Sequence, residues 1–237
     1  MSGLRALVLL ALFIGSGLIT ATSLPHLDPE ELSPFVVEKL PVRFEAAWLA
    51  ALRLHVVSAA LALPLCLALS TRALQRRAGL HRVLGRVAAA VLLLALVPSG
   101  AVLAIDAKGG LAGTLGFLLS GAIVVAATLH GVATARRRDL VGHRRAMHHV
   151  LAQLSVAVTS RALLLLLDAA SVDPDTAYVA ALWGPVLASA LVVELFSARS
   201  PRRADPSPRK GPPRRAHAPL AHRLVPAPRA ALAAGPR

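Results

Sequence analysis

Apolar residues in this chain fall into runs about as long as an α-helix needs to cross a bilayer core of about 30 Å. The first run, Ala6 to Ile19, stands behind Arg5. Residues 1–24 are expected to form an uncleaved first span; the small residues Thr20-Ala21-Thr22-Ser23 leave signal cleavage as the alternative. Residues 25–45 read as a polar extracytoplasmic loop carrying Asp28, Glu30, Glu31, Glu38 and Glu45 against Lys39 and Arg43. Further spans are expected over about Ala46–Leu69, Arg86–Ile105, Leu111–Ala135, Ala146–Leu167 and Thr176–Phe196. Gly184-Pro185 marks a kink in the last of them.

The polar segments between the runs alternate in charge. Arg72, Arg76, Arg77 and Arg82 follow span two, and Arg136-Arg137-Arg138 through Arg144-Arg145 follow span four. The intervening turns, Asp106 to Gly110 and the one with Asp168, Asp173 and Asp175, are nearly neutral or acidic. Arginine-rich loops stay on the cytoplasmic side, so six spans place both termini there. The expected fold class is therefore an all-α, polytopic transmembrane bundle. Residues 46–168 would form its four-helix core from spans two to five, and residues 169–197 the outer turn and sixth span.

Composition sharpens this picture. The 237 residues are 56% hydrophobic with 3% aromatics, unlike a soluble domain of this length. A net charge of +14 invites a nucleic-acid reading, but the arginines sit in loops between apolar spans and in the tail. That distribution points instead to membrane orientation, the lipid bilayer and anionic headgroups, with no nucleic-acid partner. Residues 198–237 are rich in Pro, Arg and Ala with few large apolar side chains, so a disordered basic tail is expected. The single cysteine, Cys66, lies in an apolar run and has no intrachain disulfide partner.

Ionisable residues inside spans are costly and are functional candidates for that reason. His55, His130 and Arg161 qualify, with Arg53 read as an anchor reaching toward Glu45 or the headgroups. His143 and Arg161 are eighteen residues apart, about five turns of one helix, so one face of span five carries a basic group near each surface. An internal echo joins His81-Arg82 through Arg86 at the start of span three to His143-Arg144-Arg145 at the start of span five. It brings His81 and His143 to the same inner surface, near His130, His148 and His149.

Three roles fit such a cluster. Two imidazoles from different helices ligate haem b; imidazoles relay protons near neutral pH; or interfacial histidines bond headgroups and loop carbonyls. Arg86 lies deeper than His81, which puts His81 at the headgroup level and leaves a haem there poorly buried. Arg82, Arg86, Arg144 and Arg145 are read as topology and anionic-lipid contacts. No hydrolase, kinase or metalloprotease motif and no metal-binding spacing occurs, so no enzyme activity is assigned.

The chain resembles a bacterial family of predicted integral membrane proteins, domain of unknown function 2306. The likeness rests on four short motifs in order: His81-Arg82…Gly85-Arg86, Gly109-Gly110-x-Ala112…Gly116-Phe117, His143-Arg144-Arg145-x-Met147 and Ala157-Val158-Thr159-x-Arg161. It covers span two to the end of span five. Ala146 and Ala88 depart from it where the family often has tryptophan and tyrosine. The resemblance implies the membrane fold and the candidate residues but no reaction. At the level of fold alone, a histidine-bearing four-helix core is also similar to the cytochrome b561 type of haem protein. The function read from the sequence is thus a membrane protein of the bacterial inner membrane with a cytoplasmic-face His/Arg cluster. Haem-based electron transfer through His81 and His143, or a proton-linked transport role for His55, His130 and Arg161, are the alternatives.

Overall fold

The computed structural model describes residues 2–28 and 33–199; the tail expected from residue 198 lies almost wholly outside them. Among the described residues, six helices are long and apolar enough to cross a membrane. They are α1 (Ser2–Ser23), α3 (Glu45–Leu69), α5 and α6 (Ala78–Val91 and Val97–Ala104, joined by a π-helical turn), α7 (Gly110–Arg136), α8 (Leu140–Ala169) and α9 (Pro174–Arg199). Two short helices, α2 (Pro34–Lys39) and α4 (Arg72–Gln75), lie in connections. The described residues contain no strand.

The third and fifth spans begin well before their apolar runs, at Ala78 and Leu140. His81, Arg82, His143, Arg144 and Arg145 are therefore helical residues and not loop residues. A helix of 30 residues such as α8 is about 45 Å long, well beyond the bilayer core. Its basic first turns extend past the hydrocarbon, where long cationic side chains reach water or headgroups.

Central packing comes from spans two to five: Ala62, Leu92, Leu96, Val124 and Val150 form one buried cluster. A second cluster, Val156, Leu182 and Val186 with Leu119 and Trp183, ties α8 and α7 to α9. Between these clusters lies a polar node. Gln153, only 3% exposed, accepts from the Ser120 hydroxyl at 2.9 Å and donates to the Val186 carbonyl at 3.1 Å and to Ser189 Oγ at 2.9 Å. One amide thus joins three helices with both of its donors engaged.

The expected polar loop before span two is in part a packed cap. Val36 of α2 is buried with Trp48, Leu52 and Val56 of α3, and Leu27, Leu40 and Val42 close over them. Arg53 donates to the Asp28 carbonyl in this segment at 3.5 Å. At the other end of α1, Arg5 donates to the Ser70 carbonyl at 2.7 Å and fastens α1 to α3.

Of Gly113, Gly116 and Gly121 on α7, only Gly116 meets another helix tightly: a Cβ there would stand 2.7 Å from Leu182 Cδ2. Gly113 instead clears the Lys108 carbonyl of its own turn, and Gly121 has ordinary room against Val97. Asp173 caps α9, accepting from both the Thr176 N–H and its hydroxyl. Those two bonds hold its carboxyl below the usual aspartate range.

Candidate functional site

The basic end of the bundle is organised by a hairpin. After α7, Arg138 takes a left-handed conformation (φ 61°), and Asp139 accepts from the Gly142 N–H at 2.9 Å to cap α8. Asp139, the lone acid of this basic loop, thus has a structural task that composition alone did not reveal. The tight turn lays α8 antiparallel against α7. Gly131 has no side chain, so α8 comes close enough for Ala146 Cβ to lie 3.3 Å from where a Cβ on Gly131 would stand.

That approach brings His143 Nδ1 to 2.9 Å from the Gly131 carbonyl. A carbonyl only accepts, so Nδ1 carries the proton and Nε2 keeps its lone pair in the neutral ring. His81, in the first turn of α5, lies within electrostatic reach of His143. Its Nδ1 is buried without a hydrogen-bond partner among the described residues. The two histidines of the internal echo therefore lie at the same end of the bundle, each near the start of its helix.

A groove of about 370 Å³ lies beside them, between α7, α8 and α9. Its polar lining is His130, Arg145, His149 and Glu194; Ile123, Ala126, Ala127 and Ala146 make its apolar wall. Glu194 accepts from Arg145 Nη2 through one oxygen and faces His149 Nε2 at 2.8 Å through the other. The His149 side chain is 16% exposed, whereas those of Arg145 and Glu194 are about half exposed at 54% and 47%. Sequence reasoning passed over Glu194. The signal was there: one acid inside the apolar run Leu191-Val-Val-Glu-Leu-Phe196. Neither His81 nor His143 lines this groove.

His55 and Arg161 lie elsewhere, in the half of the bundle nearer the acidic end. His55 Nδ1 is 3.2 Å from the Leu96 carbonyl and 3.3 Å from Ser99 Oγ. Leu96 closes the π-helical turn Leu92–Leu96, where the Val97 N–H bonds Leu92 five residues back. Pro98 follows; it has no N–H and its ring crowds the carbonyl four residues before it. Gly100 completes the fit, because a Cβ there would stand 3.1 Å from the His55 ring. Arg161 donates from Nη1 to the Ala157 carbonyl of its own helix at 2.9 Å and lies within electrostatic reach of His55, His26 and Tyr178. His130 is thus separated from His55 and Arg161, with which the sequence grouped it.

A family model described as "Predicted membrane protein (DUF2306)" matches residues 52–197. The chain belongs to this family. No curated protein and no solved structure matches it. The DUF2306 segment runs from within α3 nearly to the end of α9 and so takes in the sixth span, beyond the limit expected from the motifs. The packing explains why: α9 supplies partners to Gln153 and half of a buried cluster, so the fold is incomplete without it. Within this DUF2306 protein each of the four motifs has a local task. His81 opens α5; Gly109 and Gly110 turn the chain with φ of 82° and 56°; His143 and Met147 close on Gly131; and Ala157 receives Arg161.

Proposed function

We propose that this integral membrane protein lies in the plasma membrane with its basic end and both termini cytoplasmic, and binds the anionic head of an amphiphile in the groove between α7, α8 and α9. The observation that carries this reading is the polarity gradient of the groove. His130, Arg145 and Glu194 lie near the basic ends of their helices, while Ile123 lies about two turns deeper on α7. A polar mouth over an apolar floor matches a headgroup above an acyl chain. Arg145 spends Nη2 on Glu194 and keeps its other N–H donors for a phosphate. Arg144 and Arg136 to Arg138 add positive potential around the mouth.

The orientation rests on the arginine segments gathered at one end and is tested by labelling. In a Cys66→Ala background, a membrane-impermeant maleimide added to intact cells is expected to label Asp175→Cys and spare Ala73→Cys. The reverse pattern overturns the orientation.

Lipid binding is tested by native mass spectrometry of protein released from nanodiscs containing phosphatidylglycerol and phosphatidylcholine. Each basic side chain near an anionic surface contributes about 1 kcal/mol, so Arg145→Ala is expected to lower phosphatidylglycerol retention about fivefold. Glu194→Gln removes the competing carboxylate and is expected to raise it. Equal retention by wild type and both variants would sink the proposal. The arrangement gives haem ligation by His81 and His143 less support, since His81 opens α5 at the headgroup level and neither histidine lines the groove.

A further inference from the structure

The turn between α6 and α7 is clamped against α9. From the segment before span two, Lys39 Nζ donates to the Asp106 carbonyl at 2.7 Å. On the other side Gly109, with φ of 82°, lies against α9: a Cβ there would stand 3.1 Å from Val179 Cγ2 and 3.5 Å from Tyr178 Cδ1. Lys108 is thereby laid over α9, with its ammonium 5.9 Å from the centre of the Tyr178 ring. Asp168 comes from α8, one residue before that helix ends. Its carbonyl accepts from the Ser171 N–H at 2.8 Å, in a reversal that Ser171 completes with a left-handed φ of 57°.

These elements border a groove of about 260 Å³ at the acidic end, where Lys108, Asp168 and Tyr178 meet an apolar wall that includes Leu164, Leu165 and Pro174. A cation and an anion share this groove, yet neither forms an ion pair with the other or with any described residue. The Tyr178 hydroxyl also makes no hydrogen bond to a described residue. Leu164 lies one helical turn before Asp168 on the same face of α8, about 6 Å toward the middle of the span. Leu165, 71% exposed, opens the groove toward the hydrocarbon. Charged groups thus stand at the rim and apolar ones below them. The volume falls short of the roughly 300–1,000 Å³ that encloses a drug-sized ligand, so the groove has room for a headgroup but not for a whole lipid.

We infer that this groove binds the head of a zwitterionic phospholipid with a primary ammonium, of the phosphatidylethanolamine type. Lys108 and the Tyr178 hydroxyl donate to the phosphate, the Asp168 carboxylate accepts from the ammonium, and Leu164 and Leu165 meet the start of a chain. A quaternary ammonium fits less well for two reasons. It has no N–H to offer Asp168, and Lys108 already covers the aromatic face that would suit it. A purely anionic head leaves the Asp168 charge opposed. The groove shares no lining residue with the one at the basic end, so the two sites stand or fall separately.

The test uses the full chain carrying Arg145→Ala, which weakens the groove at the basic end. It is released from nanodiscs of phosphatidylethanolamine, phosphatidylcholine and phosphatidylglycerol with identical acyl chains, and retained lipid is read by native mass spectrometry. Phosphatidylethanolamine is expected to be retained about fivefold over phosphatidylcholine, as for one exposed charge pair. Asp168→Asn keeps the shape and removes the carboxylate; it is expected to bring that ratio to about one and to raise phosphatidylglycerol retention. Lys108→Ala is expected to lower phosphatidylethanolamine retention about fivefold, and Lys108→Arg to restore most of it. Unchanged Trp183 fluorescence in each variant shows that α9 stays packed.

No preference for phosphatidylethanolamine in the starting protein, or a preference that survives Asp168→Asn, overturns the proposal. A second arm adds soluble phosphoethanolamine to protein in phosphatidylcholine nanodiscs. Saturable uptake there that Asp168→Asn removes, without a lipid preference in the first arm, assigns the groove to a free zwitterion and overturns its assignment to lipid.

Discussion

Replacing Gln153 by alanine is expected to destabilise the bundle by about 2–4 kcal/mol, the largest single effect of any polar substitution in the spans. Its amide joins Ser120 on α7 to Val186 and Ser189 on α9 at distances of 2.9–3.1 Å. An interhelical hydrogen bond in a bilayer is worth about 0.6 kcal/mol on average, so three account for about 2 kcal/mol. The void left by the side chain, at a position 3% exposed, supplies the rest. Gln153→Leu restores volume without the bonds and should recover the cavity part alone. Ser155→Ala is the internal control, because that hydroxyl bonds only the Ala152 carbonyl one turn away. The measurement is reversible unfolding in mixed micelles titrated with a denaturing detergent. A Gln153→Ala variant within about 0.5 kcal/mol of wild type would show that the node is incidental.

Gly116→Val should cost about 3 kcal/mol by overpacking, and Gly121→Ala on the same helix should do the opposite. At Gly116 a Cβ would stand 2.7 Å from Leu182 Cδ2, 3.0 Å from Leu182 Cγ and 3.3 Å from Trp183 Nε1. Leu182 is 5% exposed within the α8–α9 cluster and has little room to retreat. The Trp183 indole donates to the Ala112 carbonyl at 3.1 Å, so pushing α9 away also breaks that bond. At Gly121 the nearest atom to an added methyl, Val97 Cγ1, would be 3.5 Å away, which is ordinary contact. There alanine removes backbone freedom at no steric cost, for a gain of up to about 1 kcal/mol. Trp183 fluorescence reports the first change directly: a red shift is expected on exposure of the indole. Equal effects at the two glycines would mean that α7 and α9 are not in the contact described.

Much of this architecture was legible in the sequence because the bilayer makes burial a matter of length. A run of about twenty apolar residues has few alternatives to a membrane helix, and alternating arginine-rich and acidic segments order the runs into hairpins. Helix ends were less legible. Ala78 to Gly85 and Leu140 to Arg145 are helical although their composition reads as loop, since helix propensity and snorkelling continue a helix past the hydrocarbon.

Spacing along one chain is enough to specify the six apolar helices, their hairpin order and the gathering of His81, His143, His130 and the arginines toward one end. It does not specify which side chains meet. Contact depends on the rotation of each helix about its axis, and an almost uniformly apolar span carries little periodic signal to set that rotation. Glu194 facing Arg145 and His149, Gln153 joining three helices, and Asp139 serving as a cap emerge only once the helices pack. Gly131 and Gly116, which let α7 approach α8 and α9, hold the helices in the rotation that makes those contacts.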